Sequence, residues 1–192
     1  STLNFQEYEK LGFLKYEGPT DPTITGSFGN ILTYKNFKLN VFLTYSFGNV
    51  IRLDPVFSSA YSDLDAMPKE FKNRWMKAGD ENTTNIPTIV SYRMNQQYAY
   101  LNMAYNAYNY SDVRIADGGF IRLKEISLSY DLPAKVLNFF RLNKLQFKIQ
   151  ATNLFLLYAD SKLNGQDPEF FRSGGVSTPV PRQFTFTIRL GL

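Results

Sequence analysis

Two residue types are missing, and between them they remove much of enzyme chemistry. The 192-residue chain has no cysteine and no histidine. Without cysteine there are no disulfides, thiolate metal sites or thiol nucleophiles. Without histidine the commonest metal ligand and the commonest general base are also gone. No metal or cofactor is expected, and catalysis would have to rest on carboxylates, lysine, tyrosine or serine. There is no run of eighteen apolar residues either, so no membrane helix is encoded. A β-barrel would leave no such run, because its lipid-facing residues alternate with polar ones. The mean hydropathy of -0.27 is therefore no argument against a membrane. The 21 basic and 17 acidic residues are scattered, without the basic stripe that a nucleic-acid groove needs, so no nucleic acid is expected. Ser1 is followed by no secretion signal, and the chain is expected to continue upstream of it.

Aromatic residues and period-two alternation are abundant. The 17 Phe and 13 Tyr lean toward a protein with aromatics at two membrane interfaces, although soluble β-proteins also use them freely. The clearest organiser is RQFTFTIRLGL, residues 182–192: Phe184, Phe186, Ile188, Leu190 and Leu192 share one parity, and Gln183, Thr185, Thr187, Arg189 and Gly191 the other. Roughly 9–11 residues suffice for a tilted strand to cross hydrocarbon. Four more stretches follow the design. Residues 23–34 do so imperfectly, with Asn30 on the apolar side and a bulge expected near Gly29. Lys35 and Asn36 then form a tight hairpin into residues 37–47, where Phe37, Leu39, Val41, Leu43, Tyr45 and Phe47 oppose Lys38, Asn40, Thr44 and Ser46. Residues 120–133 and 144–155 complete the set. A short strand through Leu11–Tyr16, an amphipathic helix from Pro68 to Ala78 capped by Gly79, and one or two helical turns over Ala134–Arg141 are also expected.

Connections alternate short (35–36), long (49–119), fairly short (132–143) and long (158–181), as periplasmic turns and external loops do in barrels. If the last strand descends toward the periplasm, the two long connections lie outside. Arg122 and Lys124, which share the parity of Ile126, Leu128 and Tyr130, then sit at the outer rim, where charge is tolerable. Tyr34 and Tyr130 fall at the inner interface, and Tyr45, Phe47 and Phe155 at the outer one. Lys144, Lys148 and Arg189 face the lumen.

GGFIRLKEISLSYDLPAKVL, LQFKIQATNLF, DPEF and PRQFTFTIRLGL, with the hairpin GSFGNILTYKNFKLNVFLTYSFGN, resemble in order the C-terminal end of SusC/RagA-type TonB-linked outer-membrane transporters. The resemblance covers residues 24–49 and 119–192. YEGPTDPTI lacks the spacing of the calcium-loop-like phrase that the family often carries, so no calcium is expected there, and the chain ends in Leu192 rather than the commoner Phe. The implied fold is all-β: a C-terminal segment of about five antiparallel strands from a large transmembrane β-barrel of about 22 strands with long extracellular loops and a plugged lumen. Residues 1–22 would be a loop leading into the barrel and 23–192 the strands with their loops. The resemblance also implies location in the cell outer membrane among its lipids and the rest of the barrel and plug, on the same or another chain. It further implies a SusD-like surface lipoprotein, engagement of TonB through a part not present here, and an oligosaccharide or peptide cargo.

Three other features bear on function. Tyr98, Tyr100, Tyr105, Tyr108 and Tyr110 could offer flat faces to a sugar, a peptide or a partner, or could pack the loop's own interior. Asp160, Asp167 and Glu169 supply the carboxylates a glycosidase needs, but a solvated external loop is the preferred reading, and no catalytic residue is assigned. The alternative to a transporter is a secreted or surface β-rich carbohydrate-binding module. It would hide its alternating apolar faces in a dry core, whereas a barrel wall would expose them.

Overall fold

The structure is a computed structural model that describes residues 14–56, 67–98, 100–171 and 179–191. It divides into two compact units, one of Ser1–Pro19 with Val50–Ala116 and one of Thr20–Asn49 with Asp117–Leu192. The strands in chain order are β1 (Ile24–Tyr34), β2 (Phe37–Phe47), β3 (Val50–Arg52), β4 (Ile115–Asp117), β5 (Phe120–Asp131), β6 (Lys144–Ala159) and β7 (Gln183–Gly191). The second unit is built on a five-stranded sheet ordered β1-β2-β5-β6-β7, antiparallel throughout. These are the five alternating stretches of the sequence.

Lys35 takes the left-handed conformation (φ 51°) in the hairpin between β1 and β2. Asn36 fastens that turn to the end of β5: its amide Nδ2 donates to the carbonyl of Asp131 at 2.6 Å, and the Asp131 N–H donates back to its carbonyl at 2.9 Å. Pro133 ends β5, and a short helix α3 (Ala134–Phe139) bridges to β6.

Residues paired directly across antiparallel strands lie on the same face of the sheet, so the register assigns every side chain. Leu39, Leu128, Ile149 and Phe186 run across one face, with Val41, Ile126, Ala151 and Phe184 beside them. This apolar face is largely open: Phe186 is 60% exposed and Ile149 59%. On the other face Ser127 and Ser129 are buried between the longer Asn40, Gln150, Lys38 and Lys148 with which they are paired. Lys144, Lys148 and Arg189 lie on this polar face too, where the Arg189 guanidinium donates to Gln146 at 3.4 Å. Exposed apolar and covered polar side chains are the reverse of what a water-soluble sandwich presents. Aromatics gather at both ends. Phe37 and Tyr130 pack at 4.6 Å at one end, and Phe47 lies 6.2 Å from Tyr158 at the other.

Two expectations are corrected. There is no bulge near Gly29, since β1 and β2 pair without interruption from Ile24 to Tyr34. Glycine stands there because the Phe42 ring crosses it: a β-carbon at 29 would come within 3.1 Å of that ring. The irregularity lies in β5, where Phe42 pairs Glu125 but Leu43 pairs Leu123, leaving Lys124 as an extra residue. The β5 and β6 pairing shifts at the same level, beside Asn153 in the left-handed conformation (φ 54°). The inserted residue changes parity. Arg122 therefore comes to the polar face opposite Thr44 instead of standing at the rim of the apolar one.

The first unit holds the two-stranded sheet of β3 and β4 and two helices, α1 (Tyr92–Gln97) and α2 (Leu101–Tyr110). The Ser91 hydroxyl caps α1 by accepting the Met94 N–H. The expected helix over Pro68–Ala78 is only a 3-10 turn, Lys69–Asn73. Gly79 (φ 100°) opens a second 3-10 turn, Asp80–Asn82, rather than capping a helix. The Asp80 carboxylate accepts the N–H groups of Met76 and Lys77, which turns the chain where a helix would have continued. Leu14–Tyr16 are not in a strand, and the rest of the expected strand through Leu11 lies outside the described residues.

The two faces predict opposite responses to charge. In the full-length protein refolded into phospholipid vesicles, Ile149→Lys is expected to cost about 2–4 kcal/mol if it lies near the bilayer midplane. Gln150→Lys, one residue along on the polar face, is expected to stay within about 0.5 kcal/mol of the parent. Equilibrium urea unfolding measures both, and equal effects would show that the two faces do not meet different media.

Candidate functional site

The bulge at Lys124 brings together a cluster that parity alone would have kept apart. Arg122 is 6% exposed. Its Nη2 meets both carboxylate oxygens of Asp167 at 2.6 Å and the Oε2 of Glu169 at 3.1 Å, and its guanidinium stacks 5.5 Å from the Phe120 ring centroid. Asp167 is itself buried, and its Oδ1 also accepts the Glu169 N–H at 3.1 Å. Asp160 is engaged differently, accepting the N–H groups of Asp117 and Lys162. Most of the described residues of this loop are exposed, as in a solvated loop, but Asp167 is withdrawn from solvent: it and Glu169 neutralise one buried arginine, and Asp160 orders the start of the loop. A glycosidase pair needs one carboxyl poised as an acid and one free as a base or nucleophile. Acids held in common by a guanidinium supply neither.

Beside this cluster lies a hollow of about 600 Å³ in the same unit. Asn153–Ala159 of β6 form one wall, Gly165, Gln166 and Asp167 another, and Val180 and Arg182 the approach to β7. The volume is within the range of small-ligand sites.

The five tyrosines, all in the first unit, divide into two groups. Tyr105 is 8% exposed and donates its hydroxyl to the Thr88 carbonyl at 2.6 Å. Tyr108 lies half-buried under Arg114, whose guanidinium is 5.6 Å from its ring centroid. Arg114 is buried too; it pairs with Glu70 at 2.7 Å and donates to the Asp54 carbonyl. No sequence signal distinguished Arg114 from other scattered charges. Burial raises the pKa of both phenols and so disfavours their ionisation, and for Tyr108 the Arg114 charge partly opposes this. Tyr98, Tyr100 and Tyr110 face outward. Tyr98 and Tyr100 meet edge-on at 5.8 Å, and Tyr110, 68% exposed, stands 5.5 Å from the Arg52 guanidinium. Tyr100, Met103, Ala107 and Tyr110 recur at helical spacing and form an open stripe along α2.

No protein-family model matches the sequence. Over 155 residues, 81% of the chain, it is 28% identical to TonB-dependent receptor P3 of Formosa agariphila, and the match spans 14% of that receptor. Its fold is similar to a chain of the RagAB peptide transporter with a TM-score of 0.62 and 22% identity, covering 92% of this chain and 18% of that one. It is similar to a chain of the RagAB peptide importer in the open-open state with a TM-score of 0.60 and 19% identity, covering 93% and 18%. The chain is similar to a short part of these proteins, spanning 14% of the receptor and 18% of each RagAB chain. Its five strands have the fold of part of a transporter's β-barrel, and the proteins it resembles are a receptor and importers rather than enzymes.

Tyr105 and Tyr108 are structural tyrosines. Tyr105→Phe is expected to destabilise the first unit by about 1 kcal/mol through the lost hydrogen bond. Both phenols are held neutral in the folded state, so their contribution is present below the ordinary tyrosine pKa of about 10 and is lost as pH rises through their raised folded values. An alkaline titration followed at the tyrosinate absorbance is expected to lose two of its late-ionising groups in Tyr105→Phe/Tyr108→Phe. Uniform ionisation in the parent would contradict the burial.

Proposed function

We propose that this chain is the C-terminal part of the barrel wall of a TonB-dependent outer-membrane importer. Its activity is to take up peptides or oligosaccharides with the help of a SusD-like surface lipoprotein. The supporting observation is the reversed polarity of the five-stranded sheet, apolar side chains open on one face and covered serines and paired charges on the other. Lipid is the medium that such an open face matches, and an aqueous lumen the one that matches the polar face. Peptide is the favoured cargo because the importers of similar fold carry it by name.

In this reading loops 49–119 and 158–181 are extracellular, and residues 1–22 lead into the wall. Tyr98, Tyr100 and Tyr110 are the candidate contacts for cargo or lipoprotein, because their rings are exposed, Tyr98 just after α1, Tyr100 just before α2 and Tyr110 at the end of α2. Tyr105 and Tyr108 hold the segment that presents them. The chain itself carries out no catalysis.

The full-length protein is expected to fractionate with the outer membrane and to migrate faster on gels before heating than after. Tyr98→Ala/Tyr100→Ala/Tyr110→Ala is expected to lower TonB-dependent uptake of labelled peptides, or retention of the co-purifying lipoprotein, by about tenfold or more, since exposed aromatic anchors commonly contribute over 1 kcal/mol each. Recovery of the full-length protein in the soluble fraction would overturn the importer reading. Unchanged uptake and retention in the triple variant would overturn the role given to the tyrosines.

A further inference from the structure

We propose that Arg122, Asp167 and Glu169 form an ion latch that fastens the segment Asp160–Phe171 to the polar face of β5, and that releasing the latch opens the hollow beside it. This goes beyond the importer reading and does not depend on the identity of any cargo.

The segment is pinned at its start and tied again further on. Leu163 is 1% exposed, and Asp160 accepts two backbone N–H groups, so the first turn is anchored. Directly after it, Asn164 (φ 54°) and Gly165 (φ 87°) are both left-handed. A β-carbon built on Gly165 would meet nothing within 4 Å, so the chain has space to turn here once the bond from the Gln166 N–H to the Leu163 carbonyl, 2.9 Å, is broken. Beyond this point comes Asp167, seated on Arg122. The hollow takes one wall from β6 and another from Gly165, Gln166 and Asp167. A swing about 164–165 would therefore carry that second wall away.

The chemistry of the tie suits a fastening that can release. Carboxylates ordinarily meet arginine side-on, each oxygen on a separate N–H. Among the described residues Nη2 faces three carboxylate oxygens, while the Nε–H of Arg122 is buried without a partner there. The pair is strong in charge and incomplete in hydrogen bonding. An unmet buried donor lowers the stability of the closed arrangement relative to an open one in which solvent can reach it.

The test uses the full-length protein in outer membranes, free of other cysteines, with Gln166→Cys as a reporter lining the hollow and a membrane-impermeant maleimide as probe. R122Q and D167N are each expected to raise the labelling rate about tenfold, and the double variant no further than either alone, because one tie is being cut twice. D167E, which keeps the charge, is expected to return the rate to within about twofold of the parent. Labelling unchanged in R122Q and D167N, or effects that multiply in the double variant, would overturn the latch. If R122Q fails to assemble, D167N against D167E decides alone: equal rates overturn it. Gel mobility before heating reports barrel assembly separately, so loss of the latch and loss of the importer reading are told apart.

Discussion

A sheet that separates two media must keep its alternation in phase across every strand, and this constraint governs the second unit. A slip of one residue exchanges the apolar and polar sides of everything beyond it. β1 and β2 stay in phase along their whole length. β5 cannot, because Arg122 has the same parity as Ile126, Leu128 and Tyr130. One extra residue at Lys124 resolves the conflict, and Leu123 and Ile121 then replace Arg122 and Phe120 on the apolar face. The buried arginine, its two acids and the placement of the following loop all depend on that insertion. A charge that would have been costly against lipid becomes the point to which a loop is tied.

The strands were legible because period two is a property of neighbouring residues, and five repetitions of it in one chain are hard to produce otherwise. The bulge was legible as a need but not as a place. Gly29 suggested it, yet glycine there admits the Phe42 ring, a contact made across strands and so invisible along one. Lys124 carries no local signal of its own. Its displacement follows from the pairing of β5 with both β2 and β6 and from the left-handed Asn153 opposite. The acids at 160, 167 and 169 were visible as a cluster, but Arg122, which Asp167 and Glu169 share, lies 45 residues before Asp167, and only the fold joins them.

The tyrosine-rich segment shows the same division between composition and position. Tyr98 to Tyr110 are alike in the sequence, and a loop rich in Tyr and Asn has weak helix propensity. Once α2 forms, helical spacing sorts them: Tyr105 turns toward the Thr88 carbonyl and Tyr108 toward Arg114, while Tyr100 and Tyr110 share the open side with Met103. Burial of Arg114 beside Glu70 helps to explain why this unit has a core despite its polar composition. Ile51, Leu53, Val56, Ile86 and Ala116 supply the apolar part, and the ion pair fills the rest without leaving the charge alone.

Among the described residues β1 and β7 each pair on one side only. On the other side they present a row of N–H and C=O groups along strands of 11 and 9 residues. In water such edges invite aggregation; in hydrocarbon each unmet group would cost several kcal/mol. The exposed apolar face excludes the first environment as a resting place and the unpaired edges exclude the second, unless further strands continue the sheet on both sides. What this sheet requires is pairing of β1 and β7 by further strands, a condition that a closed wall meets. That requirement comes from hydrogen bonding and solvation alone, and it agrees with a chain that matches 18% of the length of the importer chains whose fold it shares.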